Sequence, residues 1–259
     1  CRRGIMSSQR RPDGRPLDPS THRPISLDLR CLSRPDGSAK LCIGNTSATA
    51  SAVGPAAPRS VRHEEFDHER EGGGATTVTV SIRRYRSPDA ASERELESWI
   101  SGTLCGCVAA PRRTAVQLGC HLGEGDGGAE CAALNACVAA MVDAGVAMKY
   151  VPVAVAIGLL GGGALLLDPT LEEEQECLAV VTVVVKSSAK RCPDPTDDKN
   201  ILSTFVTYCS DKHVSIFPSP DDYVNTCVLA SRASTVMTDL YRQAVSKRIE
   251  SEEKTFRAV

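Results

Sequence analysis

The chain has 259 residues, of which 30 are Lys or Arg and 32 are Asp or Glu, so its formal net charge is −2. The apolar and charged fractions, 42% and 24%, lie near the averages for soluble globular proteins, which excludes a disordered, collagen-like or disulfide-scaffold chain. The near-zero charge also excludes a generally basic nucleic-acid binder, so any contact with RNA or DNA has to come from a local patch.

The twelve cysteines are the most unusual part of the composition. No CxxC pair is present, which argues against the common zinc sites. Several lie in apolar sequence, such as Cys131 and Cys137, where a free thiol behaves as a small hydrophobe. We therefore expect reduced, mostly buried cysteines in a cytosolic or nuclear protein.

The first part of the chain is a polar segment followed by β-strands. Apolar and polar residues alternate in Pro24–Arg30 and in Thr76–Arg84, as they do where one face of a sheet is buried. The dipeptide Gly44-Asn45 predicts a hairpin turn, and Pro55–Gly74 is a charged loop that ends in three glycines. The predicted strands are Pro24–Arg30, Ser38–Ile43, Thr46–Val53 and Thr76–Arg84.

Two helices and a strand follow. Ser92 and Glu95 have the spacing of a capping box, which predicts that a helix begins at Ser92 and continues until Pro111 stops it. Thr114–Leu122 is predicted as a strand. Ala129–Val142 is apolar nearly all round, which predicts a buried helix.

The apolar run Val151–Leu167 is short and is interrupted by three consecutive glycines. Two buried strands joined by a glycine turn explain it better than a membrane span, which needs about 20 apolar residues, and we expect no membrane contact. The order of strands and helices predicts an α+β or mixed α/β fold. The later predicted elements are strands at Leu178–Lys186, Thr204–Tyr208 and His213–Phe217, then a long helix from about Pro220 that Ser219 caps.

Two segments have the residue types of a functional site. The glycine-rich turn Gly123–Gly128 precedes a helix, whose backbone amides bind anions, but its neighbouring acids oppose phosphate and favour a simple turn. Asp168 and the acids of Glu172–Glu176 could hold Mg²⁺, or they could be the acidic start of a helix. The sequence leaves the choice between these two interpretations open.

A series of motifs in fixed order resembles the RNase PH-type family. Two segments, LLLDPTLEEEQ (Leu165–Gln175) and SPDDY (Ser219–Tyr223), are similar to the family's ring subunits in the eukaryotic RNA exosome. The resemblance covers about residues 11–250. The motifs are RPDGR (Arg11–Arg15), RPIS (Arg23–Ser26), SRPDGSA (Ser33–Ala39), GNTSATASAVGPA (Gly44–Ala56), DGG (Asp126–Gly128), LNACVAAMVDAGVAM (Leu134–Met148) and LLLDPTLEEEQ (Leu165–Gln175).

The resemblance implies a fold of two similar β-rich halves with helices packed between the sheets. It implies an N-terminal polar segment at residues 1–22, a single RNase PH-like domain at 23–250 and a C-terminal tail at 251–259. It also implies a ring with other RNase PH-like subunits, RNA-binding cap subunits and single-stranded RNA in a central channel. The expected location is the nucleus and nucleolus, and also the cytoplasm.

The resemblance further implies which positions would carry phosphorolytic chemistry. Active members bind phosphate with arginines at the positions of Ser92 and Glu130, and they carry catalytic aspartates at the positions of Glu174 and Val180. A carboxylate at 130 repels phosphate, and valine cannot bind a metal ion. We therefore expect a non-catalytic ring subunit without a cofactor, and we treat these four as degenerate active-site positions.

The same resemblance places the loop after Gly54-Pro55 at the RNA channel. Arg59, Arg62 and His63 lie in this loop with no acid before Glu64, so they are the candidate RNA-binding residues. The alternative function is a phosphorolytic or hydrolytic Mg²⁺-dependent 3′ exoribonuclease that uses Asp168 and Glu172–Glu176. A third possibility is a small-molecule-binding domain with no role in RNA metabolism.

Overall fold

The computed structural model describes residues 11–16, 21–57, 76–85, 90–110, 114–187, 200–209 and 220–257. Within these ranges two β-sheets and four helices form the fold. In chain order the elements are β1 (Ile25–Leu29), β2 (Gly37–Ile43), β3 (Thr46–Ala56), β4 (Thr77–Arg84), α1 (Ala90–Cys107), β5 (Ala115–Leu122), α2 (Ala129–Asp143), β6 (Pro152–Leu159), β7 (Leu165–Leu167), α3 (Leu171–Glu176), β8 (Ala179–Lys186), β9 (Ile201–Cys209) and α4 (Pro220–Arg257).

The first sheet has the strand order β1-β2-β3-β5-β4. Its neighbours are antiparallel except β4 and β5, which are parallel and are joined through α1. Ile43 pairs with Thr46 across the predicted Gly44-Asn45 turn, where Gly44 has a φ of 56°. Glycine adopts this left-handed conformation at little cost, which confirms the hairpin.

The second sheet has the order β7-β6-β8-β9 and is antiparallel throughout. Strands β6 and β7 form the predicted hairpin, and Gly162 and Gly163 supply positive φ angles of 83° and 79° at its turn. The apolar run is therefore a pair of strands rather than a single span. In the part of the chain that the structure describes, no helix has the length and apolarity needed to cross a membrane.

Helices α2 and α4 lie between the two sheets. Helix α2 packs on β2, β3 and β5 of the first sheet and on β6 of the second, while α4 contacts β1 as well as β6 and β8. Helix α2 is buried almost completely because its small apolar side chains let both sheets approach it closely. This arrangement confirms the mixed α/β fold with helices packed between sheets.

Asn135, fully buried in the middle of α2, joins that helix to the second sheet. Its Nδ2 donates to the Ala154 carbonyl at 2.9 Å, and its Oδ1 accepts from the Ala154 N–H at 2.9 Å. Strand β7 pairs only with Ile157–Leu159 of β6, so Ala154 has no strand partner on that side of β6. The Asn135 side-chain amide takes the place of the missing strand. The Tyr241 hydroxyl of α4 also donates to Asn135 Oδ1, at 3.1 Å.

Several boundaries differ from the sequence-based predictions. Helix α1 begins at Ala90, so the predicted capping box is wrong, because Ser92 lies inside the first turn. The helix ends at Cys107, before Pro111, because Val108 instead forms a bridge with Met148. Strand β9 begins three residues earlier than predicted, at Ile201.

Other predictions are untested. The predicted strand at His213–Phe217, the Ser219 cap and most of the loop Pro55–Gly74 lie outside the described residues. The division at residues 22 and 250 also stays a prediction, although α4 continues through the proposed tail as far as Arg257. The prediction of reduced, mostly buried cysteines agrees with the structure: nine cysteines of the described residues carry free thiols, and six of these are buried.

We expect Asn135→Ala to lower the free energy of unfolding by about 2–4 kcal/mol, because the buried Ala154 N–H loses its Asn135 partner and the Ala154 C=O keeps only the weak Cys131 thiol donor. Urea denaturation followed by circular dichroism measures this change. The matched control is Asn225→Ala at an exposed position of α4, which should change stability by less than about 0.5 kcal/mol. Equal effects of the two substitutions would contradict the role given to Asn135.

Candidate functional site

A pocket of about 260 Å³ opens at the N-terminus of α2. The ends of β4, β5 and β9 and the start of α3 surround it, so it lies where the two sheets approach each other. Three charged side chains line it, those of Arg84, Glu130 and Glu174, together with Thr207 and the glycine-rich turn. Two of the four degenerate active-site positions therefore face a common space.

The turn from β5 to α2 is the sharp turn that the glycine-rich sequence favours. Gly127 and Gly128 have φ angles of 79° and 66°. A Cβ at Gly127 would lie 2.7 Å from the Pro169 carbonyl oxygen and 2.9 Å from the Leu171 nitrogen, so only glycine fits there. This close approach brings α3 against the N-terminus of α2 and sets the floor of the pocket.

Glu130 lies in the first turn of α2 and is buried, with 5% of its surface exposed. Its Oε1 accepts from Arg84 Nη2 at 2.8 Å, and its Oε2 is 3.5 Å from the Thr207 hydroxyl, which donates to it. The negative side chain at this position is therefore neutralised by an arginine that the sequence analysis did not identify. Because Arg84 and Glu130 are 46 residues apart, no short-range pattern predicts their contact.

Glu174 reaches the pocket from α3. Thr170 and Glu173 form a capping box that fixes the first turn of this helix. Glu174 Oε1 accepts from the Gly128 N–H at 2.8 Å, so a carboxylate of the protein already occupies the anion position at the N-terminus of α2. The pKa of Glu174 is raised to about 7, chiefly because the carboxyl group is buried; the Gly128 hydrogen bond opposes this rise, and the nearby Glu130 carboxylate adds to it.

Ser92 and Val180 are not among the residues that line this pocket. Ser92 lies in the first turn of α1 and is half-buried. Val180 is buried in β8, with 1% of its surface exposed, and pairs with Gly158 of β6. Of the four positions that the family resemblance singles out, the structure therefore brings together only Glu130 and Glu174.

Two other acids of the candidate magnesium cluster, Asp168 and Glu173, are held by buried arginines, whereas Glu172 and Glu176 are exposed. Asp168 Oδ1 accepts from Arg23 Nη2 at 2.6 Å, and Glu173 receives two hydrogen bonds from the Arg11 guanidinium. In the described residues no three His, Cys, Asp or Glu side chains are placed to hold a metal ion together. The donor set does not fit the magnesium ion that the alternative function requires.

The sequence analysis missed the structural role of Arg11 and Arg23. Both belong to the motifs RPDGR and RPIS, which were noted only as marks of resemblance. Arg23 also donates to the Asp126 and Gly127 carbonyl oxygens, so it ties β1 to the glycine-rich turn. Arginines in a polar segment do not by themselves indicate buried ion pairs, because their acidic partners lie about 150 residues further along the chain.

The candidate RNA-binding residues Arg59, Arg62 and His63 lie outside the described residues. The structure describes the chain that leads to them as far as Ala57, at the end of β3. Their role stays a prediction.

Comparison with known proteins identifies the fold. The domain 1 model of the 3′ exoribonuclease family matches residues 21–147, and the domain 2 model matches residues 150–202. The chain belongs to this family, the RNase PH family. The resemblance drawn from its motifs is therefore confirmed.

Within the family, the chain is similar to proteins named as exosome subunits. The "Exosome complex exonuclease RRP46 homolog" of Oryza sativa subsp. japonica is 27% identical over 247 residues, 92% of this chain and 96% of the relative. The protein of the same name in Arabidopsis thaliana is 30% identical over 177 residues, 67% and 70% of the two chains. The crystal structure of rice Rrp46 matches with a TM-score of 0.71 at 24% identity, over 90% of this chain and 98% of that one.

The names of these relatives agree with the motif analysis. Leu165–Gln175 and Ser219–Tyr223 are the segments that resemble the ribosomal RNA-processing protein 46 subunit, also called exosome component five. This RNase PH family member is thus similar to relatives of that name over most of its length.

The raised pKa of Glu174 predicts a pH-dependent stability. The pKa is higher in the folded protein than the ordinary glutamate value of 4.5, so ionisation of Glu174 disfavours folding. Its contribution to stability is present below about pH 4.5 and is lost as the pH rises through about 7.

We expect Glu174→Gln to reduce the loss of stability between pH 5 and pH 8 relative to the unchanged protein, as measured by urea denaturation at several pH values. Glu172→Gln, at an exposed position of the same helix, is the matched control and should leave the pH profile unchanged. Parallel profiles for Glu174→Gln and the unchanged protein would refute the assignment.

Proposed function

We propose that this chain is a non-catalytic structural subunit of the core ring of an RNA exosome. It supports 3′-to-5′ RNA processing and degradation, including the processing of rRNA, by packing against other RNase PH-like subunits and lining an RNA channel. The observation that carries the proposal is the pair of carboxylates in the pocket at the N-terminus of α2. Relatives named as exosome proteins support the assignment to a ring.

The charges of the pocket oppose phosphorolysis. Inorganic phosphate would meet Glu130 and Glu174 at the positions where active relatives have an arginine and an aspartate. Arg84 neutralises Glu130, so the carboxylate that phosphate would meet without an ion pair among the described residues is that of Glu174. Two like charges 4 Å apart repel each other by about 4 kcal/mol at an effective dielectric constant of about 20, which is a large penalty for a substrate. Val180 offers no oxygen ligand for a metal ion.

The runner-up function is a phosphorolytic or hydrolytic Mg²⁺-dependent 3′ exoribonuclease. The word "exonuclease" in the names of the rice and Arabidopsis relatives favours it. The ion pairs of Asp168 with Arg23 and of Glu173 with Arg11 weigh against it, because these carboxylates are already neutralised within the protein.

The proposed assembly into a ring determines which partners we propose for this chain. They are other RNase PH-like subunits, RNA-binding cap subunits and single-stranded RNA, with no cofactor bound to this chain. The proposed location is the nucleus and nucleolus, and also the cytoplasm, where reducing conditions suit the free thiols of the described cysteines.

We expect the purified chain, incubated with single-stranded RNA, Mg²⁺ and phosphate, to release no nucleoside diphosphates above a reaction without protein. The reason is that phosphate lacks its arginines and a metal ion lacks its ligands. Thin-layer chromatography of end-labelled RNA detects the product, and a phosphorolytic family member serves as the positive control. Phosphate-dependent release that disappears on Glu174→Ala would favour the runner-up instead.

Arg59 and Arg62 are proposed to bind RNA phosphates in the assembled ring. Replacing both with Ala should weaken RNA binding uniformly across sequences. It should also reduce the salt dependence of log K by about one for each phosphate that the arginines neutralise. Fluorescence anisotropy at several salt concentrations measures both quantities.

The matched control replaces Arg232 and Arg242, two exposed arginines of α4, with Ala. This control removes the same charge from a different surface. If the Arg59→Ala/Arg62→Ala variant binds RNA with the affinity and the salt slope of the unchanged protein, the loop after Gly54-Pro55 does not touch RNA.

A further inference from the structure

The first sheet ends on one side at β4, and helix α1 packs along that strand. The Thr77 N–H donates to the Thr114 carbonyl oxygen at 3.0 Å, and the Tyr85 N–H donates to the Leu122 carbonyl oxygen at 2.9 Å. The odd-numbered residues of β4 therefore bond toward β5. Because the backbone groups of a strand alternate between its two sides, the even-numbered residues face the open edge, where a strand of another chain can pair.

Two acids of α1 bond to N–H groups on this open edge. Glu97 Oε1 accepts from the Ile82 N–H at 2.7 Å, and Glu93 Oε1 accepts from the Arg84 N–H at 2.9 Å. Hydrogen bonds to a carboxylate are stronger than those between neutral groups, so both N–H groups are firmly held. The exposed Arg83 guanidinium lies 3.9 Å from Glu93 Oε2 and 4.0 Å from Glu97 Oε1, which adds a weaker electrostatic link between strand and helix.

Further along α1, two donor side chains bond to C=O groups of the same edge. The Ser101 hydroxyl donates to the Val78 carbonyl oxygen at 2.5 Å, and the Cys105 thiol donates to the Thr76 carbonyl oxygen at 3.4 Å. A thiol is a weak donor, so Ser101 contributes more than Cys105. All four backbone groups that α1 engages belong to even-numbered residues, as the alternation requires.

The four side chains form one stripe on α1, which we call the edge stripe: Glu93, Glu97, Ser101 and Cys105. Residues four apart lie on the same face of a helix, so the stripe follows the helix axis. Its acceptor side chains meet N–H groups of the strand, and its donor side chains meet C=O groups. A neighbouring face of the helix is buried in the core and holds the stripe against β4 through Leu96, Ile100 and Leu104.

We propose that the edge stripe is a guard that takes the place of a further strand and keeps β4 from pairing with a second copy of this chain. Strand β4 has eight residues and is rich in β-branched side chains, which favour pairing at an open edge. Covering an edge with a helix is one of the ways in which proteins prevent such pairing. The guard concerns the isolated chain and does not rest on the proposed function.

Hydrogen exchange of single amides, followed by NMR, tests the bonds of the edge stripe. Val80 lies on the same edge of β4, and in the part of the chain that the structure describes its N–H has no hydrogen-bond partner. It therefore serves as an internal reference. We expect the amides of Ile82 and Arg84 to exchange at least about tenfold more slowly than that of Val80.

Single substitutions assign each protected amide to its partner. Glu97→Ala should speed exchange at Ile82 at least about tenfold and affect Arg84 much less, and Glu93→Ala should do the reverse. Glu97→Gln keeps an acceptor oxygen and should retain most of the protection at Ile82, because the bond and not the charge provides it. Glu95→Ala, at an exposed position of the same helix, is the matched control and should change neither amide.

Removing both acids tests the guard itself. Sedimentation velocity over a range of concentrations should show stronger self-association of Glu93→Ala/Glu97→Ala than of the unchanged chain, with an apparent dimer Kd at least about tenfold lower. The matched control is Glu95→Ala/Glu250→Ala, which removes the same charge from exposed positions and should leave self-association unchanged.

The fluorescence of Trp99 reports whether α1 stays in place in each variant. Trp99 lies in α1, and its ring centroid is 4.8 Å from that of Phe205 in β9, so detachment of the helix exposes it to water. If the double variant does not fold, the exchange rates of the single variants Glu93→Ala and Glu97→Ala decide the question.

Two results would overturn the proposal. One is equal exchange of the Ile82 amide in Glu97→Ala and in the unchanged chain, which would mean that the stripe does not hold the edge. The other is a folded double variant that associates no more strongly than the unchanged chain, which would mean that the stripe does not prevent pairing. Neither measurement involves RNA or another subunit, so this test is separate from that of the proposed function.

Discussion

The burial of α2 between the two sheets is the constraint on which the rest of the structure depends. Because the helix has almost no solvent around it, each polar side chain on it must find a partner inside the protein. Glu130 near its N-terminus pairs with Arg84 of β4, and Asn135 in its middle bonds to Ala154 of β6. Asp143 at its end accepts from the Ser38 N–H and pairs with Arg248 of α4. The three contacts join both sheets and the last helix to α2.

The same constraint explains the chemistry of the candidate site. Buried carboxylates are tolerated only with compensating charges or hydrogen bonds. Arg23 pairs with Asp168, and Arg11 pairs with Glu173. In the described part of the chain Glu174 has no such ion pair, and its carboxylate bonds instead to the backbone at the N-terminus of α2. Two of the protein's own carboxylates, those of Glu130 and Glu174, therefore line the pocket at the N-terminus of α2.

Much of the fold follows from the sequence, while much of the site does not. Alternating polarity predicted β4, and the all-apolar pattern predicted the burial of α2, because both patterns depend on neighbours in the chain. The start of α1 was misplaced because alanines at 90 and 91 are strong helix formers that extend the helix beyond the Ser92 motif. The sequence did not predict that Arg84 pairs with Glu130 or that Arg23 pairs with Asp168, because ion pairs between distant residues leave no periodic pattern. The family motifs did locate Glu130 and Glu174.

The central claim is that this RNase PH family member works as one part of a ring of related subunits. Native mass spectrometry of the complex purified from its own cells through an affinity tag on this chain tests that claim most directly. The account predicts an assembly with one copy of this chain beside several different RNase PH-like proteins, with cap subunits in the same particle. A homodimer of this chain that carries none of these partners would contradict it.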